Sequence, residues 1–290
     1  MSTMPRFGRI IGLLSLAVAL AGCSAIKLGY ANLPEVAYWW LDGYVDLDDV
    51  QSPRVREDLA RIHAWHKATE LPRFLALLQR LEKLAPADAT AEQVCAVEPE
   101  LRERFAAVRD QAEPAIVTTA MSLAPEQLLH LERKYAQNLR EYGREWVRLS
   151  PAERRDKRAK ELTERLENVY GSLHEAQRTA LRQQLERSAF DPALTLAERR
   201  RRQQDTLAVL RRITAPGVSL QDARLAVRGL VERFTASPDA AWRSYQDTMR
   251  AETCRLIAAV HNAAPPEQRE NAARKLRGWQ RDFTELSGAR

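Results

Sequence analysis

The segment PEQLLHLERKYAQNLREYGREWV, residues 125–147, decides the fold class. Within it Leu128, Leu131, Tyr135, Leu139 and Tyr142 recur at intervals of three and four, which lines them along one face of a helix. Pro125 suits the first turn, because the N–H it lacks is one that a helix start leaves unpaired. Working outward, the same grammar recurs. The chain has 290 residues and only 11 glycines, and no stretch alternates apolar and polar residues long enough to read as a strand. The expectation is an all-α protein, bundled or elongated, with about nine to eleven helices.

Start and stop signals place those helices. Asn32-Leu33-Pro34 opens the first, which closes near Gly43. Ser52-Pro53 reads as a cap and first turn for a helix through Val55, Leu59, Ile62 and His66, with a break or kink at Pro72. Phe74, Leu77, Leu78 and Leu81 continue at helical spacing. Thr90 opens a region running to about Met121, which Pro99 and Pro114 are expected to interrupt. Ser150-Pro-Ala-Glu153 is a capping-box pattern for a helix ending at Gly171. Further helices follow over 172–188, from Asp191-Pro192 to Ile213, and beyond Pro216-Gly217 over 219–234, 238–262 and 265–286. Pro216-Gly217 reads as the linker between an N-terminal helical region, 34–214, and a C-terminal one, 218–290, packed on the first.

The N-terminus sets the compartment. Arg6 and Arg9 precede an apolar run, Ile10 to Leu20, of 11 residues, which is too short to span a bilayer and has the layout of a secretory signal. Leu20-Ala21-Gly22-Cys23 then resembles the lipobox of bacterial lipoproteins, the alternative being an ordinary signal peptide with an incidental cysteine. The resemblance implies removal of residues 1–22 and acylation of Cys23. Two or three acyl chains suffice for stable anchoring. Residues 23–33 would be the tether, and Ser24 favours outer-membrane sorting, with the body facing the periplasm.

Cleavage removes Arg6 and Arg9, leaving 43 basic against 39 acidic residues. That mild excess and the compartment argue against nucleic acid. With Cys23 acylated, Cys95 and Cys254 remain; in an oxidising compartment they either bond or stay as two buried thiols.

Motifs for chemistry are absent: no Gly-rich phosphate loop, no G-x-S-x-G elbow and no H-E-x-x-H. His63, His66 and Glu70 share a helix face and could hold a transition metal, although such residues also suit a boundary surface. Asp46, Asp48 and Glu57 have the outline of a calcium loop, but Val50 and Gln51 stand where a ligand and the turn glycine are needed. The aspartates fit better as caps for the following helix. No catalytic residue, metal, cofactor or small-molecule substrate is assigned.

Two dense runs are candidate binding surfaces. One is YWWLDGYVDLDD, residues 38–49, with Tyr38, Trp39, Trp40, Asp42, Tyr44, Asp46, Asp48 and Asp49. Helical spacing puts Val36, Ala37, Trp40, Leu41 and Tyr44 on one face and points Tyr38 and Trp39 elsewhere, where they need separate cover or a membrane interface. The other is ERRRRQQD, residues 198–205, with Arg199, Arg200, Arg201 and Arg202. Consecutive arginines wrap around a helix, which makes either a solvated turn or a contact for an anion.

Three five-residue pieces recur at helix starts: Leu123-Ala-Pro-Glu-Gln127, Leu173-His-Glu-Ala-Gln177 and Ala264-Pro-Pro-Glu-Gln268. They resemble the Leu-Thr-x-x-Gln motif of Spy- and CpxP-type periplasmic proteins without its threonine; independent capping gives the same pattern. YANLPEVAYWWLDGYVDLDDVQSPRVRE after a lipobox, with RTALRQQLERSAFDPALTLAERRRRQQDTLAVLRR, resembles a family of uncharacterised proteobacterial lipoproteins, a domain of unknown function. That resemblance implies location and a helical body, with no activity to carry over. The expected function is a non-catalytic outer-membrane lipoprotein that binds a periplasmic or outer-membrane protein or another envelope component. It would be chaperone-like or stress-related, or alternatively an assembly partner; a metal-dependent enzyme is the minor rival.

Overall fold

The computed structural model describes residues 26–288. The expected signal peptide, Cys23 and the first residues of the expected tether lie outside them. The described residues are helical, with no strand among them. After a helical turn at 26–31 the elements are α1 (Leu33–Val45), α2 (Gln51–Thr69), α3 (Leu71–Leu84), α4 (Ala91–Cys95), α5 (Glu98–Met121) and α6 (Pro125–Tyr142). A π-helical turn, Gly143–Val147, ends α6. Then follow α7 (Pro151–Tyr170), α8 (Glu175–Glu186), α9 (Pro192–Ile213), α10 (Leu220–Thr235), α11 (Ala240–Asn262) and α12 (Pro266–Ser287).

Twelve helices among the described residues exceed the expected range by one, and the region after Thr90 explains the difference. Thr90 caps a helix of only 5 residues, in a capping box with Gln93. Pro99 then occupies the first turn of a separate helix, where it is tolerated. Pro114 was expected to interrupt the region but lies inside α5, which continues through it to Met121.

Capping chemistry fixes most ends. Ser150 accepts from the Glu153 N–H, Asp191 from those of Ala193 and Leu194, Ser219 from that of Asp222, and Asp239 from those of Ala241 and Trp242. The three recurring five-residue pieces are capping devices with a buried glutamine, since Gln127, Gln177 and Gln268 are all buried. Gln127 and Gln177 accept from the backbone N–H three residues earlier, at 2.8 and 3.0 Å. Pro265 has no such N–H, and Gln268 instead donates to the Ser172 carbonyl at 2.6 Å.

Two packing regions result, and both draw on distant parts of the chain. The first core joins Val45, Val117, Leu128, Leu131, Leu207, Ile213 and Val227 from α1, α5, α6, α9 and α10. The second gathers Leu181, Leu185, Leu256 and Val260, with Tyr170, Leu173 and Ala264 beside them and Ala85, Ala273 and Leu276 against α3. The expected linker is thus a tight turn inside the first region. Gly217, at φ +82°, lets α10 fold back on α9, whereas α11 and α12 pack on α3, α4, α7 and α8.

Two features fasten distant parts of the chain. Cys95 is bonded to Cys254, tying α4 to α11 across 159 residues. At the α2–α3 junction Glu70, 1% exposed, pairs with buried Arg104 of α5 at 3.4 Å. Closing so long a loop restricts the unfolded chain. Replacing Cys95 and Cys254 by Ser should lower unfolding stability by about 2–5 kcal/mol in a urea titration. An unchanged midpoint would contradict the contribution of this bond.

Candidate functional site

The aspartate run builds a turn. Asp42 Oδ1 accepts the Leu47 N–H at 2.9 Å, and Asp46, at φ 56°, ends α1 in the left-handed region that Asp tolerates better than most residues. Asp48 Oδ1 accepts the N–H groups of Val50 and Gln51, both at 2.8 Å. Asp48 therefore caps α2, in place of the expected Ser52, whose Oγ accepts the Tyr38 hydroxyl at 3.0 Å. Asp46 and Asp49 have exposed side chains.

Tyr38, expected on a contact surface, is core: it is 6% exposed, and the Arg56 guanidinium lies 3.6 Å from its ring centroid. The turn folds α2 back along α1, and α2 supplies the cover that the sequence left open. The outward side is the reverse of that expected for two residues. Leu41 and Tyr44 pack on the first core, but Val36 and Trp40 join Trp39 in solvent, at 58%, 64% and 63% exposure.

The arginine block has structure within it. Glu198 is buried, and its carboxylate accepts Arg201 Nε and Arg202 Nε, each at 2.7 Å. Arg201 also pairs with Asp205, which Arg233 of α10 grips from the other side. Arg199 stacks over Tyr142 at 4.1 Å, and Arg200 is exposed. Burial pushes the Glu198 carboxyl up, but hydrogen bonds from the two guanidiniums outweigh it and hold the group below its usual range.

The two runs meet at one cavity of about 560 Å³ between α1, α2, α5, α6, α9 and α10. Trp40, Leu41 and Tyr44 form one wall; Val55, Leu59, Ile62, Ala112, Ala115 and Ile116 form the apolar body; Arg199, Arg202, Gln203 and Thr206 line the α9 side. Volume and lining fall in the range of small-ligand sites, which are apolar with a few convergent polar groups. Asn138 donates to the Tyr44 hydroxyl at 2.8 Å. Gln203 Oε1 is buried without a hydrogen-bond partner, and burial raises the Tyr135 pKa.

A second cavity, about 530 Å³, lies in the other region beside the disulfide and is lined by Leu81, Val94, Leu101, Ile257 and His261. There His261 Nε2 donates to the Ala87 carbonyl at 2.8 Å, which leaves Nδ1 to accept the Tyr170 hydroxyl at 2.9 Å. Burial pushes Tyr170 up to about 12.

The metal trio is drawn apart by other partners. His66 Nδ1 meets the Tyr30 hydroxyl at 2.8 Å, while Glu70 turns to Arg104. Among the described residues no cluster of three metal-ligating side chains occurs. Residues that sequence reasoning missed, Asn138, Gln203 and Phe234, come from three helices. For Gln203 a signal existed: Arg199, Arg202, Gln203, Thr206 and Leu210 share one face of α9.

The profile of a family of unknown function, DUF6279, matches residues 43–227. The chain belongs to that family. The matched segment holds the aspartate turn and the arginine block, and it begins after Trp40. No curated protein and no solved structure matches the chain.

The Glu198 clasp has a pH signature. A carboxyl held below its ordinary value of 4.5 adds stability that is fully present above that value and is lost as pH falls through the lower folded value. Glu198→Gln should be less stable than the parent at pH 7 and should lose less stability on acidification below 4.5. Parallel curves of urea midpoint against pH would overturn this.

Proposed function

For this member of a family of unknown function, we propose a non-catalytic lipoprotein, held through acylated Cys23 at the outer membrane, that binds an envelope component from the periplasmic side. The carrying observation is the meeting of the aromatic and arginine runs at one apolar cavity, with Trp39 and Trp40 exposed at 63% and 64% beside it. Large exposed aromatics next to a concave apolar lining suit recognition. Several polar groups around the cavity are engaged with one another, Asn138 with Tyr44 and Glu198 with its two arginines, which suits holding a ligand more than transforming one.

Support for the anchor is the Leu20-Ala21-Gly22-Cys23 sequence. No helix among the described residues is long and apolar enough to cross a membrane. The bound component is a periplasmic or outer-membrane protein, or another molecule of the envelope. A small exposed apolar patch at Val36, Trp39 and Trp40 favours a dedicated assembly partner over chaperone-like contact with many clients.

Two measurements test this. Cells fed radiolabelled palmitate should label the protein in the outer-membrane fraction, and Cys23→Ala should abolish the label and release the protein. Crosslinking in the envelope should give one dominant adduct, lost in a folded Trp39→Ala, Trp40→Ala double variant. Label retained in Cys23→Ala, or adducts unchanged in the tryptophan variant, would refute the corresponding half.

A further inference from the structure

The first cavity has an axis, and its chemistry changes along it. On α9 the lining residues Arg199, Arg202, Gln203, Thr206 and Leu210 occupy one face, so the wall passes from cationic through polar to apolar. At 1.5 Å per residue that gradient extends ~16 Å. The apolar body includes small residues: Ala112 and Ala115 of α5 line it, where larger side chains would take up space.

Two guanidiniums, Arg199 and Arg202, line the cationic end. Arg201, Arg202 and Arg233 share the acids Glu198 and Asp205, with Asp239 also near Arg201 and Glu232 near Arg233. Arg202 uses Nε on Glu198, and Arg199 is held by the Tyr142 ring face. Both guanidiniums therefore stand one helical turn apart, pre-positioned, in the lining of the cavity. Such paired guanidiniums favour carboxylate and phosphate. Gln203 Oε1, buried without a partner, is an acceptor for a hydroxyl-bearing head. Asp58, the acid on the opposite wall, is neutralised by Arg61.

We propose that this cavity binds one molecule of a single-chain amphiphile with an anionic head, the chain lying along Leu41, Ile62, Ala115 and Leu210 and the head at Arg199 and Arg202. This deepens the reading of the protein as a non-catalytic binder of an envelope component and rests on it. The shared ligand chemistry is one alkyl chain ending in a carboxylate or a phosphodiester, and it is met by free fatty acids and by lysophospholipids.

The test is titration of the purified full chain with palmitate, palmitoyl lysophosphatidylglycerol and neutral monopalmitin, each below its micelle concentration. The change in tryptophan fluorescence, compared with that of Trp40→Phe, reports binding, and native mass spectrometry reports stoichiometry. The expected result is a 1:1 complex, with one or both anionic ligands bound about tenfold more tightly than monopalmitin. The tighter of the two identifies the source.

Arg199→Gln, which leaves the Glu198 clasp intact, should erase that preference without weakening monopalmitin. Ala115→Phe should weaken all three ligands with helical circular dichroism unchanged. If Ala115→Phe does not fold, Ala112→Leu serves the same purpose. No saturable binding, the parent's preference retained in Arg199→Gln, or affinity indifferent to cavity filling would each overturn the proposal. Those outcomes leave the palmitate label and the envelope adduct untouched, so failure here is distinguishable from failure of the broader reading.

Discussion

A reciprocal pair of buried side-chain amides holds the site together. Gln51 Nε2 donates to Gln127 Oε1 at 3.1 Å, and Gln127 Nε2 donates to Gln51 Oε1 at 2.7 Å. Around this pair the same amides take up the carbonyls of Ser122 and Asp46 and the N–H groups of Asp48 and Ala124. Four helix termini, the ends of α1 and α5 and the starts of α2 and α6, thus converge without stranding buried backbone groups. Leaving such groups unpaired would cost about 1–3 kcal/mol each. The turn that reverses α1 onto α2 sits on this pair. Tyr38 burial, Trp39 and Trp40 exposure and the position of the cavity's aromatic wall all follow from that turn.

Much of this was legible in the sequence because helix boundaries are local chemistry. Thr90, Ser150, Asp191 and Ser219 cap where side-chain oxygen next to an apolar period says they should. The Glu198–Arg202 and Arg201–Asp205 pairs were readable from spacing alone. What spacing could not supply was burial. Glu198 looks solvated in a run of arginines, yet it lies beneath two of them. Tyr38 looks surplus on its own helix because its cover comes from α2, whose direction depends on the left-handed Asp46. Pro114 looks like a break because sequence reports the lost N–H but not the neighbours that keep α5 continuous.

The cavity was illegible for a stronger reason. Trp40, Ile62, Ala115, Asn138 and Arg202 are far apart in sequence, and no one of them is unusual where it stands. Only the convergence of five helices gives them a common function. The disulfide differs in kind: chemistry and compartment raised it, while the distance between Cys95 and Cys254 had to come from the fold.

The interleaving of the two cores bears on how the molecule comes apart. The long helix α5 begins against the second region, where Leu101 lines the cavity beside the disulfide, and ends in the first, at Val117 and Ala120. Helices α3, α7 and α8 fall within the family segment, yet their apolar faces are closed by α11 and α12, which lie beyond it. Peeling the last two helices away would strip cover from the middle of the chain, not from an appendage. Melting should therefore be a single cooperative event, and the stretch that defines kinship, 43–227, is not by itself a unit of folding.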